Sequence, residues 1–186
     1  GKVTGAVISH QGKPMRIRAR KGVVLAAGGF DKNQAMRAEH MPLYPNAQYS
    51  GGTSGNTGDS IRAGVALGAD TLNMQSTWAA PVFYIPGEPG GRLCTIERAL
   101  PGCIMVNQKG ERYWNEASSY HVTGQAMAKR QAEHGDASPS WMVFDATYRA
   151  KFPMGPVYPG WPDFLLSGAV KSILKKGRTV EALARE

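Results

Sequence analysis

Residues 22–30, GVVLAAGGF, set an apolar, β-branched run directly against two consecutive glycines. Such a run reads as a strand buried on both faces, which needs neighbours above, below and beside it. The glycines at its end have no Cβ, so something can approach the backbone closely there. The next segment, DKNQAMRAEHM, carries helical periodicity, with Asp31 as its expected N-cap and Pro42 closing it. A second glycine site follows in YPNAQYSGGTSGNTG (44–58), a long Gly/Ser/Asn loop. It opens directly into DSIRAGVALGA (59–69), an amphipathic helix starting at Asp59 or Ser60.

The rest of the chain mixes the two periodicities. Residues 1–10 and 14–20 alternate like two strands joined through HQGKP, a Gly-Pro turn. In the second, RIRARK leaves one face wet. Composition changes at 74–92, where Trp78 precedes the Pro/Gly-rich PVFYIPGEPGG, a boundary or a substrate-facing loop. CIMVNQKGERYW reads as a hairpin turning at Gln-Lys-Gly. SSYHVTGQAMAKRQAEHG reads as a helix capped by Ser118 or Ser119 and ended by Gly135. WMVFD (141–145) is an expected buried strand, ATYRAKF a short helix, GPVYPGWP a loop, and TVEALARE a last helix capped by Thr179. The expected class is therefore mixed α/β (α+β).

Hydrophobic residues make up 42%, enough for a packed core. No apolar run reaches the ~20 residues of a membrane span. The net charge of +8 invites a nucleic-acid partner, but the cations are scattered over strand faces and helix ends rather than gathered in one patch. No RRM, zinc or helix-turn-helix pattern accompanies them, so nucleic acid is not an expected partner. Cys94 and Cys103 lack CxxC spacing, so neither a metal site nor a disulfide is expected, and a reducing cytoplasm is the expected setting. The chain opens into strand-like alternation and stops within a helical pattern, as a piece of a larger protein would. Neither glycine site is a GxGxxG, so either one alone reads as a turn and a helix cap, and the piece holds at most half a nucleotide site.

Four landmarks in order carry more information than any one. GVVLAAGGFDKN, GNTGDSIRAGVALGAD, ERALPGCIMVNQKGERYWNEASSY and WMVFDATYRAKFPMGPVYPG, followed by TVEALARE, resemble successive stretches of one flavoprotein family. That family holds the fumarate reductases and the 3-ketosteroid dehydrogenases. The resemblance implies that residues 1–75 are the later part of a dinucleotide (FAD)-binding domain and residues 76–186 an α+β capping domain. It implies that Ala27, Gly28 and Gly29 lie against FAD, with Asn56, Thr57, Gly58 and Asp59 forming a second loop near the cofactor. The ERALPG stretch and the tyrosine after NEA, Tyr120, look like the ketosteroid branch; fumarate reductases carry an arginine at that place.

The implied chemistry is desaturation beside a ketone, with a hydride passing to FAD and a proton to Tyr120. A phenol ordinarily ionises near ~10, so a tyrosine base working near neutrality needs cations or hydrogen bonds around it. Arg98, Arg112 and His121 are the nearby candidates, although His121 points ~100° away from its neighbour on a helix. Trp78 and Tyr84 are the expected wall residues for a small, flat, apolar ketone. From spacing alone the favoured reading of Tyr120 is a ring packed at a domain edge with its hydroxyl in water, and it is the resemblance that turns the balance toward a base. The isolated piece is expected to be inert without the remainder of its own polypeptide.

Overall fold

The computed structural model describes residues 3–186; the first two residues of the strand expected at 1–10 lie outside that range. β1 (Gly5–His10) and β2 (Lys13–Arg18) form an antiparallel ribbon in register Gly5↔Arg18 to His10↔Lys13. The turn is shorter than expected. It consists of Gln11 and Gly12 alone, both at positive φ (51° and 75°), as a two-residue turn between twisted strands requires. Pro14 lies inside β2, tolerable because a two-stranded ribbon is all edge. Every residue of β2 is exposed, so both of its faces are wet, not one.

Residues 22–30 do not form the expected strand. They are irregular, with Val24 91% and Leu25 54% exposed. A strand exists through its hydrogen-bonded neighbours, and among the described residues none pairs with this run. α1 (Gln34–His40) follows, capped by Asn33, whose Oδ1 accepts from the Met36 N–H at 3.1 Å. Asp31, the expected cap, instead accepts the Ser50 hydroxyl. α2 (Asp59–Ala66) begins after Gly58 at φ 79° and stops before Gly68, whose φ of 87° ends it three residues early. It buries none of its residues.

The second half is built differently. β3 (Val82–Phe83) and β4 (Arg92–Leu93) pair briefly across the Pro/Gly loop. β5 (Cys103–Val106) was expected to fold back on residues 111–114; only the turn forms, with Gly110 donating to Asn107 O at 3.0 Å. β5 pairs instead with β6 (Trp141–Phe144), Cys103↔Phe144 to Val106↔Trp141. The would-be return arm is drawn into ion pairs, Glu111 to Arg130 and Arg112 to Glu116. β6 is half-buried rather than buried, with Trp141 exposed. Between the two strands runs α3 (Tyr120–His134), capped by Ser119 and closed by left-handed Gly135. α4 (Ala146–Lys151), α5 (Gly168–Ile173) and α6 (Val180–Leu183) follow, capped by Asp145, Ser167 and Thr179.

The core lies here: Ile85, Tyr148, Met154, Val157, Leu166 and Val170, flanked by Phe83, Phe144 and Phe152. Each such side chain contributes about 1.5–3 kcal/mol by leaving water. Tyr148 is 1% exposed and satisfies its hydroxyl by donating to Glu97 O at 2.8 Å; burial pushes that phenol well above its ordinary pKa. No described helix is long and apolar enough to cross a membrane.

Candidate active site

Tyr120 is the first residue of α3, directly after the Ser119 cap, and is half-buried. The segment leading into it is held from inside the molecule. Arg98, 2% exposed, donates one terminal nitrogen to Glu116 O at 2.8 Å and the other to Ser118 O at 2.9 Å. The buried Glu116 carboxylate accepts from Met105 N–H at 2.9 Å and from the Arg112 guanidinium at 2.6–3.0 Å. Although burial opposes it, those bonds hold the carboxyl below its usual range. Arg98 therefore acts on the main chain before Tyr120, and Arg112 on Glu116. The Nδ1 of His121 is buried and unpartnered.

The far end of α3 is tied as firmly. Arg130 donates to both oxygens of Asp136 at 2.7 and 2.8 Å and to Glu111 at 2.8 Å. Lys109 reaches Asp136 at 3.2 Å, and these cations, Arg130 foremost, hold its carboxyl far below the usual range.

Trp78 is brought to Tyr120: their ring centroids are 5.9 Å apart at an interplanar angle of 33°. That is the spacing of a direct aromatic pair, with no room for a third ring between them. The two rings make one continuous apolar surface, with Trp78 78% exposed. Tyr84 has other partners. Its hydroxyl accepts from Gln48 Nε2 at 2.7 Å and its ring stands edge-on to Tyr49 at 5.3 Å.

The two glycine sites meet. Gly58 N–H donates to Gly29 O at 3.0 Å, Lys32 N–H to Asn56 O at 3.0 Å, and Asn33 Nδ2 to Thr57 O at 2.8 Å. Gly28, at φ 80°, lies under the Asn56 side chain; a Cβ there would be 2.3 Å from Oδ1. At Gly29 and Gly55, by contrast, a Cβ would meet nothing within 4 Å. The joined loops thus present open backbone from which a ligand can be touched closely. Ala27 is exposed beside them. Asp59 is hydrogen-bonded to Arg62 and Thr57, which lower its pKa, and is an acceptor for hydroxyl or ring N–H groups. These loops are tied to the second half by Lys32, which donates to Ser50 O at 2.6 Å and Pro89 O at 3.3 Å.

Three residues escape a reading by motif. Arg98 shows as a cation without its clamp, Glu116 as part of a polar run, and Gly124 as a helix-interior glycine. Only Gly124 carries a local signal, since such a glycine often has a packing reason. Its position is set against the neighbouring chain: a Cβ there would lie 2.8 Å from Ala79 Cβ and 2.9 Å from its carbonyl carbon.

The chain is similar to known proteins. The profile of the family described as "FAD binding domain" matches residues 1–179. A 3-oxosteroid 1-dehydrogenase of Mycobacterium tuberculosis (strain ATCC 25618 / H37Rv) is 36% identical over 176 residues, covering 86% of this chain and 30% of that protein. A 4-oxocyclohex-2-ene-1-carboxylate 5-dehydrogenase of Sinomonas cyclohexanicum is 34% identical over 190 residues, covering 99% and 32%. The crystal structure of 3-ketosteroid delta1-dehydrogenase from Sterolibacterium denitrificans, in complex with 1,4-androstadiene-3,17-dione, superposes with a TM-score of 0.80 at 45% identity, covering 86% of this chain and 28% of that one. The chain thus spans about a third of the length of these relatives. With FAD as the cofactor that goes with the matched domain, the chain belongs to the FAD-binding family of flavoproteins that includes the 3-ketosteroid dehydrogenases.

Proposed function

We propose that the full-length protein is an FAD-dependent dehydrogenase that introduces a carbon–carbon double bond beside the ketone of a 3-ketosteroid-like substrate. The observation that carries this reading is Tyr120 itself: a phenol at the first position of α3, laid against the Trp78 ring, with the main chain leading into it held at Glu116 and Ser118 by Arg98. The steroid complex of the Sterolibacterium relative supports a flat, apolar ketone as substrate. Bound FAD supplies the hydride acceptor. Ala27, Gly28 and Gly29, with Asn56, Thr57, Gly58 and Asp59, are the residues we assign to holding it, and the open backbone at Gly29 fits that role.

Within this reading Tyr120 takes the proton from the carbon next to the ketone. The amides at the start of α3 favour negative charge there by about 0.3–1 kcal/mol. Trp78 and Tyr84 are assigned to the apolar wall, Tyr84 from the side of the Gln48–Tyr49 turn. Residues 1–75 are assigned to the FAD-binding domain and 76–186 to the capping domain. The partners are the substrate and the remainder of the polypeptide, without nucleic acid. Two unpaired thiols, Cys94 and Cys103, suit a reducing compartment such as the cytoplasm. Because the chain holds no GxGxxG stretch, the 186 residues alone are assigned no activity.

The test is spectroscopic. Full-length protein is mixed with a 3-ketosteroid in the absence of oxygen, and the flavin absorbance is followed. Bleaching within the mixing experiment is expected. A yellow protein that no 3-ketosteroid bleaches would remove the steroid, and a colourless protein would remove the flavin.

A further inference from the structure

Tyr120 and Gly124 are four residues apart on α3 and so share one face of the helix. A glycine inside a helix is a local cost, and here it lies where another chain segment comes closest. Residues 79 and 80 pass so near that a Cβ on Gly124 would stand 2.8 Å from Ala79 Cβ, 2.9 Å from Ala79 C and 3.0 Å from Ala80 N. Two of those atoms are backbone, which cannot rotate away. Ala79 is 6% exposed and Thr123 fully buried, so the contact is closed on both sides. The residue next to Ala79 is Trp78, whose ring lies on Tyr120 one helical turn above the contact.

We propose that Gly124 is a positioning residue for Tyr120 that acts through Trp78: it lets the 78–80 segment lie directly on α3, which sets the indole against the phenol. The proposal rests on the reading of Tyr120 as the proton acceptor. Any side chain at 124 lifts the segment, and the Trp78 ring moves with it. The Tyr120 ring then loses its support and the apolar surface loses its continuity.

The test is a double-mutant cycle in the full-length holoprotein, comparing wild type, G124A, W78A and the double variant. The readouts are anaerobic flavin reduction by a 3-ketosteroid and Trp78 emission, taken as the difference from W78A. G124A is expected to slow reduction at least ~10-fold, since misplacement by about 1 Å can cost ~100-fold. In the W78A background the same change is expected to cost less than about threefold, because a residue acting through Trp78 has nothing left to act on. Equal slowing in both backgrounds would overturn the proposal. Should G124A fail to fold, W78A decides alone. Reduction at the wild-type rate, or slowing that saturating 3-ketosteroid abolishes as for a lost wall contact, overturns the proposal. Slowing that persists at saturating 3-ketosteroid supports it. Should wild-type flavin resist every 3-ketosteroid, the reading of Tyr120 fails, and emission judges the packing separately. A red-shifted Trp78 in G124A then upholds the contact, and an unchanged one removes it.

Discussion

The two halves of this chain handle their apolar residues in opposite ways. Beyond residue 76, Ile85, Tyr148, Val157 and Val170 close on one another with little contact to water. Before it, Val24, Leu25, Val65, Leu67 and Leu72 stand exposed, and α2 buries nothing. Yet the glycine loops of the first half are well ordered by backbone hydrogen bonds, Gly58 to Gly29 and Lys32 to Asn56. Local hydrogen bonding is thus enough to shape a glycine loop, whereas an apolar run such as 22–30 forms no strand without neighbours to pair with.

The contrast can be broken first at its closed end. Tyr148→Ala should cost about 3–5 kcal/mol, the usual range for emptying a buried aromatic site, read from the denaturant midpoint of this chain. A cost under ~1 kcal/mol would mean that the second half is not the stable unit. Next, Gly28→Ala forces a left-handed residue with a Cβ into the Asn56 side chain, a strain of about 1–2 kcal/mol. FAD affinity of the full-length protein should fall roughly 5- to 30-fold, measured by flavin titration, with folding of residues 76–186 unchanged.

Acid should act on the second half through Asp136. Its carboxyl is depressed in the folded state, so its stabilising effect is present above the ordinary carboxylate pKa of ~3.9 and is lost as pH falls below it. Unfolding midpoints measured from pH 6 down to pH 2 should decline, and Asp136→Asn should flatten part of that decline while lowering the midpoint at pH 6. The smallest effect belongs to the open half: Val24→Ser should change the stability of this chain by less than ~0.5 kcal/mol. The same substitution should be clearly destabilising in the full-length protein if residues outside this chain cover the run.

What could be read from the sequence follows from the range of the forces involved. α3, α4 and α6 were legible as helices, and the Thr179 cap of α6 with them, because a cap is settled within a few residues. The α3 cap was narrowed to Ser118 or Ser119, of which Ser119 serves, and Asp145, read as the end of a strand, caps α4 instead. The turn at 107–110 was legible for the same reason, but the partner of β5 was not: pairing with β6 across the whole of α3 has no local signature. Asp31 and Asn33 are equally good caps by type, and what separates them is distant in sequence: Ser50 engages Asp31, while Asn33 donates to Thr57 O. In the candidate site, Tyr120 was singled out through a family landmark, whereas its contact with Trp78, the Arg98 bonds to the main chain before it and the close approach at Gly124 are long-range and surfaced only in three dimensions.

The most direct test of the central claim compares wild type with Tyr120→Phe in anaerobic flavin reduction by a 3-ketosteroid, using the full-length protein. Loss of the phenolic hydroxyl should slow reduction at least ~100-fold, within the range of a general base, while leaving FAD binding intact. Equal rates in the two proteins would contradict the account and return Tyr120 to the role of a packed ring.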